Sequence, residues 1–188
     1  MANNFFTKPS KGKMGALLLV FAWILVWNIV YQAFHVKLNE AGFEIVSWAF
    51  FISATVFFMQ EELSYSEKFW STLVGGAIGL IMAAALVKGY AFLLGLGLDN
   101  LLAISIMLAL TIGLIILAKP YMPIVFNNVG FCYFIIALID SKTAVANLPK
   151  YLYSLALGCV ILNLGCIAIL KLYTSSKKKK ALAAATTE

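Results

Sequence analysis

Two adjacent asparagines interrupt an otherwise apolar stretch of this sequence. Asn127 and Asn128 lie within residues 121–139, which also contain Pro123 and Gly130. Amide side chains are costly where they face lipid, and a proline removes one backbone hydrogen-bond donor. The pattern predicts a helix that is bent or unwound at the asparagines, with Asn127, Asn128 and Gly130 beside a solute path. The alternative is that both amides only form hydrogen bonds with neighbouring helices.

Hydroxyl side chains in residues 43–59 are the second set of candidates for such a path. Ser47, Ser53 and Thr55 occur there among several aromatic residues. Hydroxyls also form hydrogen bonds with the backbone of their own helix, so simple packing is the alternative interpretation. We expect these three residues to face the asparagines across an uncharged path lined by amide, hydroxyl and aromatic groups.

The acidic residues occur near the ends of the apolar stretches. Glu61 and Asp140 are expected to place one charge at each mouth of the path. Proton or sodium coupling would be expected to use carboxylates within the membrane. Because the carboxylates occur only near the ends of the apolar stretches and not in their interiors, passive conduction of a neutral or weakly hydrated small solute is favoured.

Known catalytic and metal-binding patterns are missing from the sequence. It has no Ser-His-Asp set, no phosphate-binding loop and no cluster of His or Cys at metal-ligand spacing. We therefore expect no catalytic residue, no metal and no cofactor, and we do not expect an enzyme.

The composition indicates that the candidate residues are held in a lipid bilayer. The chain has 188 residues, of which 63% are hydrophobic and 12% are charged, and its mean hydropathy is +0.95. A soluble domain is roughly half apolar and about a quarter charged, so a water-soluble, disordered or collagen-like protein is excluded. The chain has lysines but no arginine, and this lack argues against nucleic-acid binding.

Six apolar stretches predict an all-α integral membrane protein with six transmembrane helices. The first stretch has no charge and would form about 31 Å of helix, enough to span the hydrocarbon core. The six predicted spans are residues 14–34, 43–59, 69–95, 98–118, 121–139 and 151–170, within a membrane domain of residues 14–173 that is flanked by a tail of residues 1–13 and a basic tail of residues 174–188.

The distribution of lysines predicts the orientation in the membrane. Six spans put both termini on one side, and placing that side in the cytoplasm leaves only Lys37, Lys88, Lys142 and Lys150 outside. The positive-inside rule therefore predicts cytoplasmic termini, and we expect the bacterial inner membrane as the location.

The two halves of the chain can be aligned with each other. Ile45–Trp48 aligns with Ile124–Asn127, and Lys68–Leu73 aligns with Lys150–Leu155. A repeat of three helices inverts its second copy, so the alignment predicts a 3+3 inverted-topology repeat of the kind found in small transporters. Because apolar stretches also align by chance, two unrelated halves are the alternative.

A stripe of small residues on the third predicted helix favours close helix packing. Gly75, Gly79 and Ala83 recur at every fourth position and would allow another backbone to approach closely. The alternatives for that partner are a helix of the same chain and a helix of a second copy. By analogy with other small six-helix channels, we expect a homo-oligomer.

Four short motifs carry a resemblance to a known family. They are Ser47-Trp48-Ala49-x-Phe51, the region from Gly75 to Met82, Phe126-x-x-x-Gly130 and Leu155-Ala156-Leu157-Gly158. In these motifs the chain resembles a family of small six-span bacterial inner-membrane proteins of unknown function. The resemblance implies the six-helix fold and no particular activity.

The sequence thus favours a channel or facilitator through which a small solute crosses the lipid bilayer passively. The alternative is a non-transporting membrane scaffold or accessory subunit, whose bundle would be dry and whose glycine stripe would contact a partner protein.

Overall fold

The computed structural model describes the backbone of residues 11–185 and the side chains of residues 14–176. Within that part of the chain every regular element is helical, and no strand is present. The all-α class predicted from the sequence is therefore confirmed. The N-terminal lysines and Lys177–Lys180, on which the predicted orientation partly rests, lie outside the described side chains.

Each predicted span corresponds to one helix of the structure, and π-helical turns occur in two of them. The helices are α1 (Lys11–Glu40), α2 (Ser47–Phe58), α3 (Tyr65–Gly95), α4 (Asn100–Ala118), α5 (Asn128–Ile139), the single turn α6 (Ser141–Ala144) and α7, which consists of Leu148–Gly158, Cys159–Asn163 and Leu164–Ala185 in direct succession. The π turns are Ser71–Gly75 in α3 and Cys159–Asn163 in α7.

Four of the described helices are long and apolar enough to cross a bilayer. Apart from the single turn α6, the remaining helices are α2 and α5, which have 12 residues each. At 1.5 Å per residue they are about 18 Å long, well short of the roughly 30 Å of a hydrocarbon core. The expected spans 43–59 and 121–139 therefore contain helices shorter than predicted. The four long segments are Met14–Glu40, Tyr65–Gly95, Asn100–Ala118 and Leu148–Ser176.

Local backbone chemistry explains why α2 and α5 are short. Gly42 has a positive φ of 82° in the turn that precedes α2. Residues 119–127 are non-helical, because Pro120 and Pro123 have no backbone N–H and each disfavours helix at the residue before it. Asn127 then caps α5 by accepting a hydrogen bond from the backbone N–H of Gly130 at 2.9 Å.

The long helices α3 and α7 begin earlier than predicted, because residues that hydropathy excludes from a span are favourable in a first helical turn. α3 begins at Tyr65 instead of residue 69, since Ser64 and Glu67 form a capping box in which the Glu67 carboxylate accepts from the Ser64 backbone at 2.9 Å. α7 begins at Leu148 instead of residue 151, with Pro149 in its first turn, where a proline is well tolerated. Hydropathy alone excludes such polar turns from a span.

The core of the bundle consists of two parallel helix pairs, and the first pair is α3 with α5. Gly75 lies against the Asn127 side chain, and Gly79 lies against the backbone carbonyl of Gly130. A methyl group on Gly130 would lie only 2.7 Å from the carbonyl oxygen of Gly75. The two backbones are therefore in direct contact, and the small-residue stripe, including the buried Ala83, lies within the chain's own fold.

The second pair is α2 with α7. The Ser154 hydroxyl accepts a hydrogen bond from the backbone N–H of Val46 at 2.8 Å, and Gly158 lies against the backbone carbonyl of Phe50. Because the residue numbers rise together along each contact, the helices of each pair are parallel. Tyr133 on α5 joins the two pairs by donating a hydrogen bond to a backbone carbonyl of α2 at 2.9 Å.

The helices α1 and α4 lie outside this core. α1 packs on α7, and α4 packs on α3. Only 11% of the residues in the apolar window of α1 and 17% in that of α4 are buried, against 33% for α3 and for α7. Both outer helices therefore present most of their surface away from the core.

Replacing Gly79 by alanine tests the contact between the backbones of α3 and α5. The added methyl group collides with the Gly130 carbonyl, so we expect the free energy of unfolding to fall by roughly 1–3 kcal/mol, as for other overpacked cores. Thermal unfolding in detergent, followed by circular dichroism, measures the change. Gly113→Ala is the matched control, because no neighbouring atom lies within 4 Å of its methyl position. An equal loss in both variants would contradict the contact.

Candidate functional site

Asn127 is buried where α5 begins, and both polar atoms of its side chain are hydrogen-bonded. Its oxygen accepts from the backbone N–H of Gly130 at 2.9 Å. Its nitrogen donates to the Ser71 hydroxyl at 3.0 Å and to the carbonyl of Ile124 at 2.8 Å. The amide thus stabilises the start of α5 and ties it to the π turn of α3.

A second set of hydrogen bonds reaches the same π turn from the end of α2. The Gln60 side chain donates to the Thr72 hydroxyl at 3.0 Å and to the carbonyl of Val56 at 3.1 Å. Ser71 and Thr72 are both buried. We call Gln60, Ser71, Thr72 and Asn127 the π-turn cluster, a polar junction of α2, α3 and α5.

The π-turn cluster also defines the relative direction of the two short helices. α2 ends at this cluster and α5 begins there, so the two helices run in opposite directions. Glu61 follows α2 and Asp140 follows α5, which puts their carboxylates at opposite ends of the bundle. Both residues are exposed, and Asp140 accepts a hydrogen bond from the Thr143 hydroxyl at 2.6 Å.

Asn128 and Gly130, two further residues of the predicted path, lie in different surroundings. Asn128 is exposed, and its side-chain oxygen accepts a hydrogen bond from the Lys119 ammonium group at 3.1 Å. Gly130 is buried against Gly75. The chain is non-helical over residues 119–127, next to the asparagines, but the two amides do not share one environment.

The three hydroxyl residues of α2 also differ in their surroundings. Ser53 is fully buried and donates its hydroxyl to the carbonyl of Phe50 at 2.7 Å. Ser47 and Thr55 are exposed. Among the described residues, no hydrogen bond joins these hydroxyls to the two asparagines. The predicted path residues therefore form several separate contacts and not one polar surface.

Asn163 is the polar residue that the sequence prediction left out of the path. It ends the π turn of α7, and its side chain is fully buried. Neither its side-chain oxygen nor its nitrogen has a hydrogen-bond partner among the described residues. It follows Cys159, a member of the main buried core, by four positions and so lies on a similar face of the helix. Its only sequence signal is an isolated amide in an apolar stretch.

Two indole nitrogens on α1 are also buried without a partner in the described part of the chain. Trp23 and Trp27 meet edge to face, with ring centroids 5.8 Å apart. Trp23 lies against Gly165 of α7, and Trp27 packs near Leu162. A buried polar group without a hydrogen bond costs about 1–3 kcal/mol. Trp23, Trp27 and Asn163 thus place several such costly groups near the π turn of α7.

An open groove of about 450 Å³ lies between α1 and the second half of α7. Its lining includes Leu19, Trp23, Ile169 and Tyr173, and nearly all of it is apolar. Such a surface suits an acyl chain better than a polar solute. No group of three or more potential metal ligands occurs among the described residues.

No family model, no curated protein and no solved structure matches this chain. The resemblance to small six-span bacterial inner-membrane proteins therefore stays a prediction. Any assignment of function depends on the geometry of the chain's own polar residues.

Separate substitution of the two adjacent asparagines tests their different roles. Asn127→Ala removes the cap of α5 and one partner of Ser71, so the free energy of unfolding should fall by about 1–2 kcal/mol. Asn128→Ala changes an exposed side chain, and its effect should stay within about 0.5 kcal/mol. Thermal unfolding of both variants in detergent measures the difference. Equal effects would contradict the structural role of Asn127.

Proposed function

We propose that the protein is a passive facilitator through which a small uncharged solute crosses the bacterial inner membrane. Its long apolar helices suggest a membrane-embedded protein. Solutes that form hydrogen bonds cross hydrocarbon slowly, because they must give up their partners in water. A facilitator replaces those partners with polar groups of the protein at membrane depth.

The observation that carries this proposal is the amide of Asn163. A fully buried donor and acceptor without partners destabilises the fold unless a polar molecule binds to it. A solute that has a hydroxyl or amide group can satisfy both atoms at once. Because the amide is uncharged, it suits a neutral solute better than an ion. Its location in a π turn is also typical of functional sites in helices.

The two short helices are the second support for a facilitator. α2 and α5 lie at the centre of the bundle, and each has 12 residues. Short apolar segments at corresponding positions of two halves are the best sequence pointer to a transport site. The π-turn cluster adds polar groups where α2 ends and α5 begins, which reduces the thickness of the apolar barrier.

We also propose that the two halves form an inverted repeat, with α1 to α3 equivalent to α4, α5 and α7. Under this equivalence, the pair α3–α5 corresponds to the pair α7–α2, and the pair α3–α4 corresponds to the pair α7–α1. The two helices are in contact in each of these four pairs. A π turn occurs in both α3 and α7. The Gly79–Gly130 contact has a counterpart in Gly158–Phe50, close to the spacing that aligns the two halves of the sequence.

A non-transporting scaffold or accessory subunit is the second candidate function. The π-turn cluster favours it, because Asn127 is buried and hydrogen-bonded within the chain. The separate surroundings of Ser47, Ser53 and Thr55 favour it as well. A scaffold gives no solute flux, so a transport assay separates the two functions.

Solute flux into proteoliposomes tests the facilitator. Purified protein should accelerate the volume change of vesicles exposed to water, glycerol or urea gradients, as measured by stopped-flow light scattering. Asn163→Leu keeps the approximate size of the side chain and removes its amide. It should lower the flux by about tenfold, the factor expected for the loss of one hydrogen bond in the rate-limiting state.

Ser105→Ala is the control for the flux assay, because it removes an exposed hydroxyl of the outer helix α4. It should leave the flux unchanged. Wild-type vesicles that behave like protein-free vesicles would favour the scaffold. Full flux through the Asn163→Leu variant would reject Asn163 as the solute contact.

Labelling of added cysteines from one side of the membrane tests whether the short helix α2 crosses, as the proposed six spans require. Glu40→Cys and Glu62→Cys are both exposed and lie on either side of α2. In spheroplasts, an impermeant maleimide should label position 40 directly and position 62 only after the membrane is opened. The unsubstituted chain gives the background from its own three cysteines. Equal labelling from outside would show that α2 does not cross.

A further inference from the structure

We propose that α1 joins two copies of this chain as a parallel helix dimer. This inference depends on one stripe of α1 and not on the transport function. Residues of the stripe are spaced alternately by four and three positions, which is the spacing along the seam of a two-stranded coiled coil. All of them are exposed, and together we call them the α1 seam: Met14, Leu18, Phe21, Leu25, Asn28 and Gln32.

Asn28 is the residue of the α1 seam that requires a partner. It lies nine residues before Lys37, a distance of about 13 Å along the helix. With Lys37 at one interface, the amide of Asn28 lies near the middle of a hydrocarbon core of roughly 30 Å. It is exposed, and its side chain forms no hydrogen bond among the described residues. An amide in that position faces lipid in a single chain, which is costly.

The α1 seam is free to bind a second helix because the chain's own contacts use other residues of α1. Ala16 and Val20 are buried, and Trp23 and Trp27 pack towards α7. These residues lie on the face of α1 opposite the centre of the α1 seam. A dimer through the α1 seam therefore adds to the fold without displacing any contact within it.

The other outer helix, α4, shows what a surface suited to lipid looks like in this protein. Its exposed large side chains are apolar, among them Leu110, Leu114 and Leu117. Its hydroxyl residues, Ser105 and Thr111, donate to carbonyls of their own helix at 2.7 Å. α4 thus has no unpartnered side-chain hydrogen-bonding group at membrane depth, whereas α1 exposes two amides. The difference indicates that α1 meets a protein surface.

A second copy of this chain is the partner that the α1 seam fits. Copies inserted with the same orientation meet with their α1 helices parallel, so Asn28 lies at the same depth in both. An amide contains both donors and an acceptor, and two of them pair reciprocally across a twofold axis. Gln32, four residues further, meets its own counterpart in the same way. A single buried amide pair also specifies the register of such a seam.

Disulfide cross-linking in membranes tests the α1 seam with the full chain. Leu25→Cys should give a covalent dimer when a copper–phenanthroline oxidant removes the two thiol hydrogens and an S–S bond forms. Leu110→Cys, exposed on α4, is the matched control and should give none. The unsubstituted chain corrects for its own three cysteines. Cross-linking through position 110 and not through position 25 would overturn the proposal.

Substitution of Asn28 measures the contribution of the amide pair. Asn28→Leu should weaken self-association in liposomes about tenfold, as measured by energy transfer between labelled copies, since interhelical amide bonds are modest in membranes. Ser105→Ala on α4 should leave it unchanged. Thermal unfolding of Asn28→Leu in detergent should match that of the wild type, because the residue is exposed.

Two results of the association measurement would overturn the dimer. The first is energy transfer between wild-type copies that does not exceed the value for labelled copies distributed at random in the vesicles. A different protein would then be the partner of the α1 seam. The second is equal association of the wild type and Asn28→Leu, which would show that the amide does not contribute. A variant that loses solute flux but still associates would bear only on the proposed transport function and not on the dimer.

Discussion

Direct contact between helix backbones is the constraint on which the rest of the structure depends. Gly79 of α3 and Gly158 of α7 each lie against a carbonyl of a short helix, at Gly130 and Phe50. Within a bilayer the burial of apolar surface contributes little to helix association, so close packing must provide much of it. These contacts hold α2 and α5, whose 12 helical residues each are shorter than a hydrocarbon core, in the centre of the bundle.

The polar side chains of the bundle fall into three kinds, which differ in the partner for their hydrogen-bonding groups. The π-turn cluster is hydrogen-bonded within the chain and joins three helices, which is a structural role. Asn163 is buried without a partner in the described chain, and in the proposed facilitator it is the contact for the solute. Asn28 is exposed on a largely apolar face of α1, and in the proposed dimer a second copy of the chain complements it. Three amides of the same chemistry thus support three different inferences.

The existence of the helices could be predicted from the sequence, but their ends could not. Long apolar stretches correspond to helices because hydropathy and helix geometry are local properties. The ends depend on individual polar residues, such as the capping box of Ser64 and Glu67 or the cap at Asn127. Hydropathy places Ser64 and Glu67 outside a predicted span but places Asn127 inside one. For this reason α3 begins before its predicted start, while α5 begins after it.

The sequence by itself determined that this chain is helical and apolar enough for a membrane, and that a few amides interrupt its apolar stretches. Only the tertiary structure decided what each amide does. Asn127 and Asn128 are neighbours of identical type, yet one bonds to a hydroxyl 56 residues away and the other faces outwards. The environment of a side chain is created by helices that are distant in the chain, and no local pattern records which of them will meet.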